Sequence, residues 1–418
     1  MYSNEEYILP CINALLYVGT LFFAIKKKHS ILILISAIWL LCALLGILYS
    51  LIPFNLTSHE ITIEPYIYIY VLFLIGMYPM SKLKNLDRNK LKVVYNERIV
   101  YYIVLVLAIC SFIPVVESVL HILSSGLGDL AANYEDRPDD FDTRGYFSFI
   151  GRLFYSVEEY FEFLSPTFLF IYLTSDIEKK KWIIVGMCLA AINPMLNNLA
   201  NGQRYYVVAF FYMMLFNFLL FRKLFDKVYI KSIYRWSVFL GGMVGVLFVA
   251  ISLNRTGNGT EELGAGYQII RYMGESMYNF NTDCFWITEH VHGEHSLKGL
   301  FTYLHINQLS ITDQTSLLGI VSNAFHTYIG AFVMDYGLTT TFIILTLLSV
   351  ICWRLVISID DEINLGLLII ISLYANILLF GTTYFVYENG FIHMVWSMVL
   401  AVYLLNTKTG NGLSSECL

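Results

Sequence analysis

Apolar runs long enough to cross a bilayer recur along most of this chain, near 8–25, 31–52, 64–80, 99–116, 157–173, 182–199, 205–221, 236–252, 338–356, 365–380 and 391–406. A hydrocarbon core about 30 Å thick takes about 20 mostly apolar residues to cross as a helix. Because it holds no water, each segment must satisfy its own backbone N–H and C=O groups. That demand, repeated along the chain, leaves one class: an all-α polytopic integral membrane helical bundle of about 11 transmembrane helices, within about 10–12. Composition agrees. Only 14% of residues are charged and 57% are hydrophobic, against about 25% charged in an ordinary soluble domain, which excludes a soluble enzyme. A net charge of −6 over 418 residues offers no basic surface for nucleic acid. The first run has no basic region before it and is too long and aromatic for a cleaved signal peptide, so it is read as a span. Of the seven cysteines, Cys284 and Cys417 alone lie outside apolar runs and no CxxC pair occurs, so neither a disulfide framework nor cysteine-bound zinc is expected.

Short loops rich in Lys and Arg stay in the cytoplasm, and the basic loops here fall on alternate turns of the threading. They are Lys26–Lys28, the stretch from Lys82 to Arg98, Lys179–Lys181 and the stretch from Arg222 to Arg235. This places the N-terminus outside and the C-terminus inside. The expected organisation is one integral membrane domain over 1–418, with a large outer loop over 253–337. Within that loop the segment 317–334 (LLGIVSNAFHTYIGAFVM) is apolar yet carries Asn323 and His326. It is read as a re-entrant or surface-lying helix, which is permitted where polar groups face protein or a wet cavity.

The two faces differ in the kind of cation they carry. Inside, 14 of 19 basic residues are Lys, whereas outside 6 of 7 are Arg. Lysine suffices for topology and anionic headgroups, but arginine offers a rigid donor fork suited to phosphate oxygens. An outward cluster of arginines therefore points to a phosphate or pyrophosphate ligand arriving from the bilayer. Arg137 and Arg144, set in the acidic NYEDRPDDFDTRGY, are read instead as partners of the carboxylates around them. Arg204 stands in NGQRYY at a tight turn between two spans, where a charge faces a cavity or partner, or snorkels to the interface. The preceding INPMLNN makes that half-span polar, as the lining of a wet pocket. Glu158 and Glu162 in VEEYFEFLSP are spaced i, i+4, hence on one helix face. They can bind sugar hydroxyls, accept a proton, or neutralise the arginines beside the pocket.

The loop over 253–337 opens with a Gly-rich stretch around Arg255 and enters a helical pattern, GYQIIRYMGESMYNF, in which Arg271 and Glu275 are again i, i+4. The pair is either a surface ion pair worth little or an arginine held by a carboxylate to meet a phosphate. The HVHGEH group (His290, His292 and His295) lacks the helical HExxH spacing of a metal site and reads as a polar turn; no metal and no cofactor are expected. His326 can take a proton or polarise a hydroxyl near neutral pH, or serve as a buried structural histidine.

The order GLFTY at 299–303, NAFHTY at 323–328 and MDYGLTT at 334–340, late in a many-span chain, resembles the Wzy-type oligosaccharide repeat-unit polymerases of O-antigen and capsule. In that family a "G..TF"-like, an "N.YT"-like and a "DFG" element follow one another. Here Tyr336 replaces Phe, and the middle element contains His326. More distantly the chain is similar to O-antigen ligases, in which a histidine precedes the entry to a late span and outer arginines bind lipid pyrophosphate. The resemblance implies a GT-C-like, metal-independent enzyme on the periplasmic face of the bacterial inner membrane, joining undecaprenyl-pyrophosphate-linked oligosaccharide units. Membrane lipids, and a chain-length regulator, are the expected partners. Arg204, Arg255 and Arg271 are then expected on the pyrophosphate, His326 or Glu275 on the acceptor hydroxyl, and Glu158, Glu162, Asp335 and Tyr336 along the substrate. The alternatives are a ligase delivering glycan to a lipid A core and a flippase or other transporter. A transporter should show inverted repeats and mid-membrane charges, which the sequence lacks.

Overall fold

A computed structural model describes residues 4–52, 59–83, 86, 92–135, 144–203, 205–225, 230, 231, 233, 235, 242, 264–322, 325–359, 361–388 and 390–406. The protein is an all-α polytopic membrane protein. It is 76% helical, and among the described residues seven helices are long and apolar enough to cross a membrane. Leu15, Phe22 and Leu123, on two of these helices, are each more than 60% exposed, as lipid-facing side chains must be. Packing divides the chain into two compact units, Met1–Leu83, Gly266–Ile359 and Leu373–Ile392 in the first and Lys84–Ala265, Asp360–Ser372 and His393–Leu418 in the second.

In the first unit α1 (Asn4–Lys26) and α2 (Ser30–Ser50) form a helical hairpin. The turn uses Lys28 at φ 53°, and His29 caps α2 by accepting from the Leu32 amide at 3.4 Å. The other nitrogen of His29 lies 2.9 Å from the carbonyl of Leu83, fastening the hairpin to the end of α3 (Ile63–Lys82). The interior is aromatic. Trp39 lies 4.7 Å from Phe73 between ring centroids, and its indole N–H donates to the Leu378 carbonyl at 2.8 Å. Helix α10 (Gly264–Thr282) crosses α2 at two glycines, Gly46 and Gly274. A Cβ on Gly274 would stand 2.4 Å from the Leu45 carbonyl oxygen, so only glycine lets these backbones approach so closely.

This unit also includes the short helices α11 (Lys298–Tyr303) and α12 (Ile311–Leu318), then α13 (Tyr328–Ile357), which packs along α3, and the segment Leu373–Ile392. The stretch 317–334 is not one helix. Helix α12 stops at Gly319 in the left-handed conformation (φ 68°), and α13 starts only at Tyr328, capped by the Thr327 hydroxyl. Helix α13 itself breaks at Gly337 (φ 76°, ψ 170°). Residues 328–335 before the break are buried, whereas the run after it has an exposed apolar face. The span expected from 338 begins immediately past that break.

The second unit is built around α8 (Lys181–Ala200), against which α4 (Glu97–Cys110), α5 (Phe112–Glu135), α7 (Ser165–Thr174) and α9 (Tyr205–Phe221) pack. Gly186 permits the tight α4–α8 crossing, since a Cβ there would meet the Ala108 backbone at 2.7 Å; the Ser111 hydroxyl donates to the Gly186 carbonyl at 2.8 Å. Strands β1 (Lys92–Val94) and β2 (Glu362–Asn364) pair in parallel, and β2 leads into α14 (Leu365–Phe380), followed by α15 (Phe391–Asn406). The apolar run 157–173 is interrupted: α6 (Phe149–Glu159) ends, turns follow, and α7 has ten residues. At 1.5 Å per residue that is about 15 Å, half a hydrocarbon core. The run 99–116 extends instead into a 29-residue span, 97–125. The run 236–252 lies outside the described residues apart from Gly242.

Candidate functional site

The candidate site of the first unit grows from α10. Its glycine crossing with α2 fixes Glu275, the residue after Gly274, in the interior, where it is 4% exposed. One turn earlier Arg271 donates from Nε to Glu275 Oε2 at 2.9 Å, while its side chain is 44% exposed. The other carboxylate oxygen accepts from Asn279 Nδ2 at 3.3 Å, and that amide also reaches the Phe325 carbonyl at 3.3 Å. Among the described residues neither terminal nitrogen of Arg271 has a hydrogen-bond partner. The pair is therefore not the loose surface bridge that the i, i+4 spacing equally allows. It is a buried carboxylate fixing a guanidinium whose outer donors are unspent, the geometry in which arginine meets phosphate oxygens.

Next along the fold, His326 is 3% exposed and closed on both sides. Its Nε2 lies 3.2 Å from the Val321 carbonyl, which accepts only, so Nε2 carries the proton. Its Nδ1 lies 2.9 Å from Cys284 Sγ and accepts from the thiol. Burial, partly offset by the Val321 carbonyl, pushes its pKa down to about 4, and burial with the neighbouring Asp283 charge pushes the Cys284 thiol well up. A neutral imidazole facing a neutral thiol holds the segment 319–327 in place; it presents no free nitrogen to a hydroxyl. His295 is likewise neutral, pushed down to about 3 by burial, then by His326 and Lys298.

Asp335 and Tyr336 act as fasteners. Asp335 is fully buried, with Oδ1 accepting from the His295 amide at 3.1 Å and Oδ2 from the Ser296 amide at 2.6 Å. The Tyr336 hydroxyl lies 2.9 Å from Ser296 Oγ. Both residues tie the turn 290–296 to the helix break at Gly337, where a Cβ would collide with His290. Both oxygens of Asp335, expected along a substrate, accept from main-chain amides of the turn 290–296 and are shielded from solvent. Among the described residues no group of three or more His, Cys, Asp or Glu could hold a metal ion.

In the second unit Glu158 and Glu162 do not share a helix face, because α6 ends between them. Glu158 is buried and accepts from Asn193 Nδ2. Glu162 meets His393 Nδ1 at 3.3 Å and accepts from the Tyr206 hydroxyl at 3.4 Å. The described carboxylate that pairs with Arg144 is Glu159, at 3.5 Å. The polar half of α8 is packed by protein: Asn197 donates to the Tyr155 hydroxyl at 2.7 Å and accepts from Tyr146 at 2.8 Å, and Asn198 donates to the Pro194 carbonyl at 2.8 Å. Arg204 and Arg255 lie outside the described residues.

Cys284, Asn279 and Ser296 escaped the sequence reading. Cys284 alone had a visible signal, as one of two cysteines outside the apolar runs. The fold defines a class, a multi-pass helical membrane protein. Compared with known proteins, the chain matches no family model, no curated sequence and no solved structure.

Proposed function

We propose that this protein is a metal-independent, GT-C-like glycosyltransferase that joins undecaprenyl-pyrophosphate-linked oligosaccharide repeat units into a surface polysaccharide. It works on the periplasmic face of the bacterial inner membrane, with the N-terminus outside and the C-terminus inside. The observation that carries the reading is Arg271, whose terminal nitrogens are unspent among the described residues while Nε is fixed by buried Glu275. Such preorganised donors stabilise charge that develops on a leaving pyrophosphate. In the reaction the acceptor hydroxyl oxygen bonds to the anomeric carbon with inversion, and the bond from that carbon to the pyrophosphate oxygen breaks. The pyrophosphate departs with the electron pair. Glu275 has lone pairs beyond those used by Arg271 and Asn279 and takes the hydroxyl proton. His326 serves as a positioning residue, because both its ring nitrogens are engaged internally. A chain-length regulator is the expected partner.

The test is a polymerisation assay in lipid with the host's own lipid-linked oligosaccharide. Native protein should give a ladder of products on a gel, lost by more than about 100-fold in Arg271→Ala, the scale expected for one oxyanion donor, and in Glu275→Gln. No ladder from native protein would sink the reading. Transfer to an added lipid A core would then identify a ligase, and movement of labelled lipid across the bilayer a flippase.

A further inference from the structure

Away from the candidate site, a groove of about 390 Å³ runs between α3 and α13, lined by Leu74, Ile75, Tyr78, Ser349, Val350 and Trp353. That volume falls in the range of about 300–1,000 Å³ in which small-molecule sites lie. The helices run side by side in the same direction: the Tyr68 hydroxyl donates to the Leu338 carbonyl at 2.6 Å, Ser349 Oγ to the Ile75 carbonyl at 2.5 Å, and Tyr78 lies 6.0 Å from Trp353 between ring centroids. Ser349 thus spends its hydroxyl inside the wall, and what the groove offers is hydrocarbon. Leu74, Tyr78 and Val350 are each at least 40% exposed.

The end of this groove is chemically different. Lys82 closes α3 and its ammonium sits 5.3 Å from the Tyr78 ring centroid; Arg354, in the last turn of α13, sits 5.1 Å from the Trp353 centroid. Both cations are exposed, and neither pairs with a described carboxylate. Tyr and Trp at one level, with cations beside them, mark a membrane–water interface.

We propose that this groove binds one acyl chain of an anionic phospholipid, with the lipid phosphate held between Lys82 and Arg354. Charge decides the occupant. A zwitterionic lipid would fill the hydrocarbon part equally well but bring its own ammonium up to two cations. A second copy of this chain, docking groove to groove, would bring four cations together.

The full protein, reconstituted in phosphatidylcholine vesicles containing a minority of brominated phosphatidylglycerol or, separately, brominated phosphatidylcholine, tests this through Trp353 fluorescence. The Trp353 signal is the difference between native protein and Trp353→Phe. Brominated phosphatidylglycerol should quench it with more than tenfold preference, each of Lys82→Gln and Arg354→Gln should reduce that preference about fivefold, and the double variant should abolish it. In native protein high salt should weaken the preference as well, a readout that does not depend on the variants folding. Equal quenching by both lipids in native protein at low salt, or a preference that survives in the folded double variant, would overturn the proposal.

Discussion

The two units spend their polar groups differently. In the first, Arg271 gives one nitrogen to Glu275, and its terminal donors are unspent among the described residues. In the second, the polar half of α8 is woven into its neighbours: the Asn197 side chain bonds Tyr146, Tyr155 and Asn201, and Glu162 uses both oxygens. Both regions look alike as sequence, each with a carboxylate spaced i, i+4 and a cluster of polar residues near a span. What separates a candidate binding site from a polar core is the donor capacity left over after folding.

The largest expected effect comes from removing the scaffold beneath Arg271. Gly274→Leu forces a side chain into the Leu45–Gly46 main chain, with contacts of 2.4–2.8 Å already at Cβ, and a backbone cannot swing aside as a flexible side chain can. We expect a loss of about 3 kcal/mol in stability, with α10 displaced from α2 and Glu275 exposed. Thermal unfolding in lipid checks it, and an unchanged midpoint would mean that the crossing is looser than described.

The second effect is acid sensitivity of the first unit. His326 and His295 are neutral in the fold, with pKa values near 4 and 3, against about 6.5 in an unfolded chain. Between these values the unfolded state binds the proton and the folded state does not, so stability is complete above pH 6.5 and falls as the pH drops toward 4. His326 taken alone accounts for roughly 3 kcal/mol. Glu388, raised by burial, opposes this, but its contribution cancels when wild type is compared with His326→Gln. The variant should show a flatter dependence of midpoint on pH.

In the second unit Asn197→Ala would strip bonds from the Tyr146 and Tyr155 hydroxyls and from Asn201, costing about 2 kcal/mol. Its effect on anion binding should be absent. A loss of pyrophosphate affinity measured by calorimetry in this variant would break the comparison between the units.

Much of the architecture could be read from periodicity and length. Seven of the eleven apolar runs became single helices with ends within a few residues, because hydrophobic length is a local property. The exceptions have physical causes. Glu158 and Glu162 look like one helix face only if the helix continues, and α6 ends at Glu159. Residues 317–334 read as one apolar helix, yet Gly319 and the Thr327 cap divide them. Of the candidate site, the Arg271–Glu275 spacing was legible, but burial of the carboxylate depends on Gly46 of another helix, which no local pattern encodes. For His326 the deciding partners, Cys284 and the Val321 carbonyl, come from a loop fold rather than a repeat.

The smallest expected change in stability carries the finest discrimination. Arg271→Lys keeps the positive charge four residues before Glu275 and, with the side chain already 44% exposed, should alter stability by less than about 1 kcal/mol. It replaces a planar fork by a point charge, so bidentate contact with a phosphate is lost while Coulomb attraction remains. If Arg271 acts through its outer donors, pyrophosphate affinity should fall about tenfold at an unchanged unfolding midpoint, since one hydrogen bond to a charged group contributes about 1.5–3 kcal/mol. If the residue matters only as the partner of Glu275, lysine should restore both stability and binding. Equal affinity in the two proteins would make Arg271 part of the scaffold and leave the first unit as closed as the second.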